Sequence, residues 1–137
     1  MLTSIKSLVL FVIMTYSVSA MTVAVSNCRQ PGAVTIEDCT NALSTYHTDH
    51  HGFVSQDKPD NQKSCGSCQI HVYTGNGENL KFSMEGAQAA LDRVLRTCGN
   101  GYGAMAIPET SYDHHLVPTV LSVEKGSGRH CDTHGDF

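Results

Sequence analysis

Six cysteines behind an apolar N-terminal leader constrain this 137-residue chain more than any other feature of its sequence. Lys6 precedes the apolar block 8–14, and the small residues Val18-Ser19-Ala20 form a typical cleavage site. We therefore predict that residues 1–20 are a secretory signal peptide that is cleaved after Ala20. An uncleaved membrane anchor is the weaker alternative, because the apolar block is shorter than the ~20 residues that a span requires.

The remaining segment, 21–137, is long enough for one compact domain and carries all six cysteines. An even number of cysteines in an oxidising compartment predicts three disulfides rather than free thiols, with zinc binding as a minor alternative. The residues concerned are Cys28, Cys39, Cys65, Cys68, Cys98 and Cys131. From about residue 126 the chain is a polar tail that only Cys131 ties down.

Charge limits the class of partner. Segment 21–137 holds 8 of the 9 basic residues and all 13 acidic residues, which gives a net charge of −5. Binding to nucleic acid depends on neutralising phosphates, so we expect no nucleic-acid partner. No sequence motif indicates a cofactor.

The stretch 64–74, SCGSCQIHVYT, is predicted to combine a disulfide with the beginning of a core strand of the sheet. Its alternation is typical of a half-buried strand, whose inward residues are Cys68, Ile70, Val72 and Thr74. Redox activity is disfavoured, because redox Cys-x-x-Cys motifs place the first cysteine at a helix N-terminus, whereas here the second cysteine opens a strand. The outward residues form a candidate recognition patch, although a solvated polar face is the plainer interpretation. They are Gln69, His71 and Tyr73.

The first of two helices is predicted over residues 36–47. Thr35 is placed to cap it, since its hydroxyl can accept a hydrogen bond from the amide of Asp38. The helical spacing of the apolar residues directs Cys39 towards the core.

The second helix is predicted over residues 84–98, with Ser83 as its N-cap and Gly99 as the residue that ends it. Its apolar stripe comprises Ala87, Ala90, Leu91, Val94, Leu95 and Cys98. The glycines Gly101 and Gly103 are predicted to prolong the turn after this helix.

Four strands are predicted, over residues 21–28, 68–74, 78–82 and 116–124. The sequence Gly75-Asn76-Gly77 favours a hairpin between the second and third strands. Pro118 indicates that the last strand lies at an edge of the sheet or starts there. The polar segment 48–64 is predicted to be a long surface loop.

This order, β-α-β-β-α-β, predicts an α+β fold of the ferredoxin-like, split βαβ kind, with two helices on one face of a four-stranded antiparallel sheet. Antiparallel helices bring the start of the first near the end of the second, so the best predicted disulfide is Cys39–Cys98. Three pairings remain for the other cysteines, among which Cys28–Cys65 with Cys68–Cys131 is weakly preferred.

Two Asp-His-His triplets, at residues 49–51 and 113–115, are candidates for chemistry. Imidazoles and a carboxylate from two loops can bind zinc or copper, or can supply an acid–base pair for phosphodiester cleavage. Two solvated loops are the plainer interpretation, since nothing in the sequence brings the triplets together. No catalytic residue is assigned, and the candidate metal ligands are His50, His51, His114 and His115.

The motif CGSC at residues 65–68, the helix 89–98 and the Gly-rich segment 99–103 lie in a small cysteine-rich β-α-β-β-α-β layout behind a leader. This combination resembles the KP6-like killer toxins and effectors of fungi, and secreted-in-xylem-type effectors are a close competitor in size and cysteine count. The resemblance implies a secreted virulence or antagonism factor without enzymatic activity, which carries no catalytic residues. It implies action on a host or competitor protein or at a membrane surface, either outside cells or after entry into a host cell.

The leader and the cysteines generate a direct test. Mass spectrometry of the secreted protein is expected to find a mature N-terminus at Met21 and no free thiol, because the oxidising pathway closes all three bridges. A free Cys65–Cys68 dithiol would contradict the disulfide prediction.

Overall fold

A computed structural model describes residues 24–108 and 118–131. The helices in these ranges are α1 (Ile36–Ser44) and α2 (Met84–Thr97). The strands are β1 (Ser26–Arg29), β2 (Phe53–Ser55), β3 (Asp60–Cys65), β4 (Cys68–Thr74), β5 (Lys81–Ser83), β6 (Tyr102–Ala106) and β7 (Thr119–Lys125). The predicted signal peptide at residues 1–20 lies outside the described residues.

Five strands form one antiparallel sheet in the order β1-β6-β7-β4-β3, and β2 pairs with β5 in a second, two-stranded sheet. Both helices pack into one core with the sheet face that carries Ile70, Val72, Leu121 and Val123. The prediction of an α+β fold with two helices, antiparallel pairing and three disulfides is confirmed. The prediction of a single four-stranded sheet is wrong, because the main sheet has five strands.

The connections around the two helices differ. The chain passes from β4 through α2 to β6, and β7 lies between these two strands, so this half is a split βαβ unit. The chain passes from β1 through α1 to β3, and these strands lie at opposite edges of the sheet. Strands β6 and β7 lie between β1 and β4 in the sheet. They therefore separate β1 from β4 and β3.

Strand β4 has the predicted alternation. Cys68, Ile70, Val72 and Thr74 are buried, and Gln69, His71 and Tyr73 are half-buried on the opposite face. On the neighbouring strand β7, Leu121 and Val123 face the same core. The apolar period of two therefore sets which face of the sheet the helices cover.

Both helices begin where their caps predict. Thr35 Oγ1 accepts from the Asp38 amide at 3.1 Å, and Ser83 Oγ accepts from the Gly86 amide at 3.0 Å. Helix α1 ends at Ser44, earlier than the predicted 47, because the hydroxyls of Ser44 and Thr45 donate to carbonyls of its last turn. The predicted stripe of α2 is buried along its whole length.

Three local predictions are wrong. Segment 48–64 contains β2 and β3, and β3 is polar because it is an edge strand with little apolar surface to bury. No hairpin forms through Gly75–Gly77, because β3 and β7 already pair with both edges of β4, and β5 pairs with β2 instead. Gly103 belongs to β6, where a Cβ atom would lie 2.6 Å from Cys98 Sγ.

Pro118 directly precedes β7, so it starts the last strand, and that strand is central rather than at an edge. Residues 116–117 of the predicted strand, like residues 21–23 of the predicted first strand, lie outside the described residues.

The three disulfides are Cys28–Cys98, Cys39–Cys68 and Cys65–Cys131, and none of the six cysteines is free. The predicted pairs Cys39–Cys98, Cys28–Cys65 and Cys68–Cys131 are wrong. Helix α1 packs over β3 and β4, which brings Cys39 to β4. Helix α2 packs over β6, which is paired with β1, so the end of α2 meets Cys28.

A polar contact beside the Cys39–Cys68 disulfide joins α1 to the turn between β3 and β4. Ser67 donates to Asp38 Oδ2 from its amide at 2.8 Å and from its hydroxyl at 2.6 Å, and its hydroxyl accepts from the Thr35 amide at 3.0 Å. These hydrogen bonds from Ser67 hold the pKa of the Asp38 carboxyl below its usual value. We call this contact the Asp38–Ser67 latch.

The latch predicts that Gly66→Ala destabilises the protein more than Gly77→Ala does. Both glycines have positive φ, +53° and +77°, so either alanine carries a backbone penalty of about 1 kcal/mol. At Gly66 the new Cβ would also lie 2.5 Å from Asp38 Oδ2, whereas nothing lies within 4 Å at Gly77. Urea denaturation measures the difference, and equal losses in the two variants would contradict the latch geometry.

The latch also predicts a dependence of stability on pH. Because the folded-state pKa of Asp38 is depressed, its contribution is present above the unfolded-state pKa and is lost as pH falls through the folded-state value. Asp38→Asn is therefore expected to lower the free energy of unfolding at pH 7, with the difference from wild type shrinking below about pH 4. A difference that stays constant down to pH 2 would refute a charged role for Asp38.

Candidate functional site

The sheet face opposite the helices carries a group of polar side chains from three adjacent strands. Tyr73 lies directly across from Asp60 on β3, and Gln69 lies directly across from Glu124 on β7. His71 lies between them on β4. We call Asp60, Gln69, His71, Tyr73 and Glu124 the outer-face cluster.

His71 is held between two carboxylates. Its Nδ1 lies 3.3 Å from Glu124 Oε1, and its Nε2 lies 3.5 Å from Asp60 Oδ2. Gln69 Nε2 donates to the other oxygen of Glu124 at 3.1 Å, so Glu124 contacts two residues of β4 at once. The Tyr73 ring packs beside the imidazole with their centroids 5.0 Å apart. The contacts with Glu124 and Tyr73 orient the imidazole on the sheet, whereas Asp60 makes no hydrogen bond to Nε2.

The cluster is suited to binding rather than to proton transfer. His71 Nε2 is enclosed and has no hydrogen-bond partner among the described residues, and Nδ1 faces Glu124. Neither ring nitrogen is therefore open to a substrate. Carboxylate oxygens only accept hydrogen bonds, and the side chains of Asp60 and Glu124 remain 58% and 36% exposed. The face thus offers acceptors and negative charge to a cationic group.

The sequence placed three of these five residues. Gln69, His71 and Tyr73 were predicted on the outward side of the strand, and they lie there. Glu124 was included only as the last residue of the predicted strand 116–124, and nothing in the sequence paired it with Gln69. Asp60 was hidden in a segment predicted as loop, because β3 lacks the apolar period that signals a strand.

The first Asp-His-His triplet forms a turn before β2. Asp49 Oδ1 accepts from the amides of His51 at 2.8 Å and Phe53 at 2.9 Å, and these bonds, led by that from Phe53, hold the pKa of Asp49 below its usual value. The rings of His50 and His51 are exposed and packed together, with centroids 3.8 Å apart. The carboxylate thus stabilises the turn.

The second triplet, with His114 and His115, lies outside the described residues, so its meeting with the first stays a prediction. Within residues 24–108 and 118–131, no three His, Cys, Asp or Glu side chains are grouped as metal ligands.

A shallow groove of about 230 Å³ separates α1 and α2 on the far side of the molecule. Its floor is formed by buried leucines, and Ile36 stands at its rim with 59% of its surface exposed. The lining residues are Ile36, Thr40, Leu43, Ser44, Gln88, Leu91, Asp92 and Leu95. The groove is a concave surface, and its lining is more apolar than the outer-face cluster.

These features define a small α+β protein stapled by three disulfides, a construction typical of oxidising compartments. Neither described helix is long and apolar enough to cross a membrane. Comparison of the chain with protein-family models, with curated proteins and with solved structures finds no match.

Proposed function

We propose that this chain is a secreted, effector-like or toxin-like protein that acts by binding a partner and not by catalysis. The observation that carries the proposal is the outer-face cluster, in which Tyr73 on β4 is oriented beside partly exposed carboxylates from the two flanking strands, β3 and β7. The partner is a protein of a host or competitor organism, or a membrane surface. The proposal includes export through the signal peptide predicted at residues 1–20.

Rigidity supports a binding role. The strand that carries most of the cluster, β4, is bonded to α1 through Cys39–Cys68 and is flanked by β3 and β7. A surface that is ordered before binding loses little conformational entropy when a partner docks. Tyr73 on such a surface presents both apolar and hydrogen-bonding atoms to a partner.

The proposal also places the chain beside the KP6-like killer toxins and effectors, with secreted-in-xylem-type effectors as the competing group. Its support is the leader, the six bridged cysteines and the split βαβ unit around α2. The proposal includes a relation of this fold to the ferredoxin-like arrangement of four strands. Such a relation has to explain why β1 lies at the edge of a five-stranded sheet.

A secreted ribonuclease-like or metal-dependent hydrolase is the alternative, in which the two Asp-His-His triplets would supply the chemistry. The two functions predict opposite outcomes for two sets of substitutions. The outer-face variant combines Gln69→Ala, His71→Ala and Tyr73→Ala. The loop variant combines His50→Ala, His51→Ala, His114→Ala and His115→Ala.

Two quantities are measured for each protein. The first is the saturable binding of labelled mature protein to yeast and plant cells, and the second is its effect on the growth of those cells. The outer-face variant is expected to bind at least about tenfold more weakly, because central aromatic contacts dominate interface energies, and to lose the growth effect. The loop variant is expected to match wild type in both. Mass spectrometry and near-ultraviolet circular dichroism confirm that each variant keeps three disulfides and its packing.

Loss of the effect in the loop variant, with the outer-face variant unchanged, would refute the binding function in favour of the hydrolase. Tight binding of zinc or copper by wild type and not by the loop variant would favour metal sequestration instead.

A further inference from the structure

The two edges of the main sheet differ in regularity. At one edge, β1 is interrupted, since its register with β6 shifts between Ser26 and Arg29 and Asn27 has a φ of +59°. At the other edge, β3 is paired with β4 without a break from Asp60 to Cys65. A continuous edge strand can template the addition of another strand, whereas a bulged edge resists it.

The backbone of β3 has hydrogen-bonding groups that point away from the sheet. Pro59 O accepts from the Thr74 amide at 2.9 Å, which sets the alternation of the ladder. Every second residue then faces β4, so Asp60 and Gln62 direct their N–H and C=O groups outwards. Both residues are exposed, and those groups have no backbone partner within the described part of the chain.

The C-terminal tail covers one end of this edge. The Ser127 amide donates to Ser64 Oγ at 2.9 Å, and Arg129 O accepts from the Gly66 amide at 2.7 Å. Cys65 is bonded to Cys131 in the same region. The open stretch therefore runs from Asp60 to Lys63.

Charge along this stretch favours a cationic partner on one side of the sheet. Residues directly opposite in an antiparallel pair share a face, so a partner residue across from Asp60 or Gln62 would stand on the outer face, beside the outer-face cluster. There it meets the exposed carboxylate of Asp60, with Glu124 two strands further in. The cationic residue of this stretch is Lys63. Its Nζ lies 5.9 Å from the ring centroid of Tyr46, on the face of the sheet that the helices cover.

We propose that the β3 edge binds an extended segment of a partner protein by antiparallel strand addition, and that this segment carries lysine or arginine at alternate positions. Its main chain pairs with Asp60 and Gln62, and its cationic side chains contact the outer-face cluster. The inference rests on the proposed function and names the partner chemistry of that site.

The test uses a ten-residue peptide that alternates lysine and threonine, added to the isotopically labelled mature protein. Amide resonances of residues 60–63 are expected to shift on titration, and the Gln62 amide is expected to exchange more slowly with solvent. Resonances of β1 and of the helices are expected to stay in place.

Two control peptides separate strand addition from general attraction of charge. In the first, every lysine is replaced by glutamate, which removes the charge match. In the second, the backbone nitrogens of the lysines are methylated, which keeps the charge and removes the N–H groups that would pair with β3. The methylated peptide is expected to bind at least about tenfold more weakly, as the loss of two or more hydrogen bonds implies. The glutamate peptide is also expected to bind more weakly, because its carboxylates are repelled by Asp60 and Glu124. Equal binding of the methylated peptide would overturn strand addition.

A matched pair of protein variants tests the charge. Asp60→Asn is expected to weaken binding of the lysine peptide about threefold, in the range of an exposed ion pair. Glu85→Gln makes the same change of charge on α2, on the opposite face of the sheet, and is expected to have no effect. Equal losses in both variants would overturn the assignment of the charge to this edge.

Failure of this inference is distinguishable from failure of the proposed function. If no peptide binds while the outer-face variant still loses binding to cells, strand addition is wrong and the binding function stands. If sedimentation shows that the protein self-associates and the β3 resonances depend on its concentration alone, the edge is an interface between two copies of this chain, and the inference is overturned.

Discussion

The Cys39–Cys68 disulfide is the constraint on which the other parts of the structure depend. Both residues are fully buried, and the bond joins the middle of α1 to the first residue of β4. The Asp38–Ser67 latch repeats the connection one residue earlier on each side, with polar atoms. A bridge of this kind contributes about 2–5 kcal/mol in a small domain, so the two contacts together hold α1 over the face of β4 that its apolar period selects.

Local features of the fold were predictable because they depend on neighbouring residues. Hydroxyl side chains before each apolar stripe located both helix starts, and the period of two located β4. Pairing over long distances was not predictable. Nothing in the sequence indicates that β5 pairs with β2. Strand β3 has the sequence DNQKSC, whose polar residues suit an edge strand but do not signal a strand. The wrong disulfide pairs follow from the same gap, since they depend on which strand each helix covers.

The outer-face cluster shows the same division between local and distant information. Alternation placed His71 and its two neighbours on the outward face, but its carboxylate partners come from strands 11 residues before and 53 residues after it. The first Asp-His-His triplet illustrates the reverse, because a pattern that suggested metal chemistry proves to contain an aspartate that caps a turn. Residue type alone did not distinguish the carboxylates that meet His71 from the aspartate that stabilises a turn.

The tail around the β3–β4 turn determines how much of the β3 edge is accessible. Gly126 and Gly128 donate from their amides to Ser67 and Gly66, and beyond them the tail is fastened by Cys65–Cys131. The bond joins Cys65, the buried last residue of an edge strand, to the half-buried Cys131 of a terminal segment. Loss of this bond alone would leave the tail held over Ser64 and Gly66 by hydrogen bonds only. Release of the tail would then lengthen the accessible part of β3 towards Ser64.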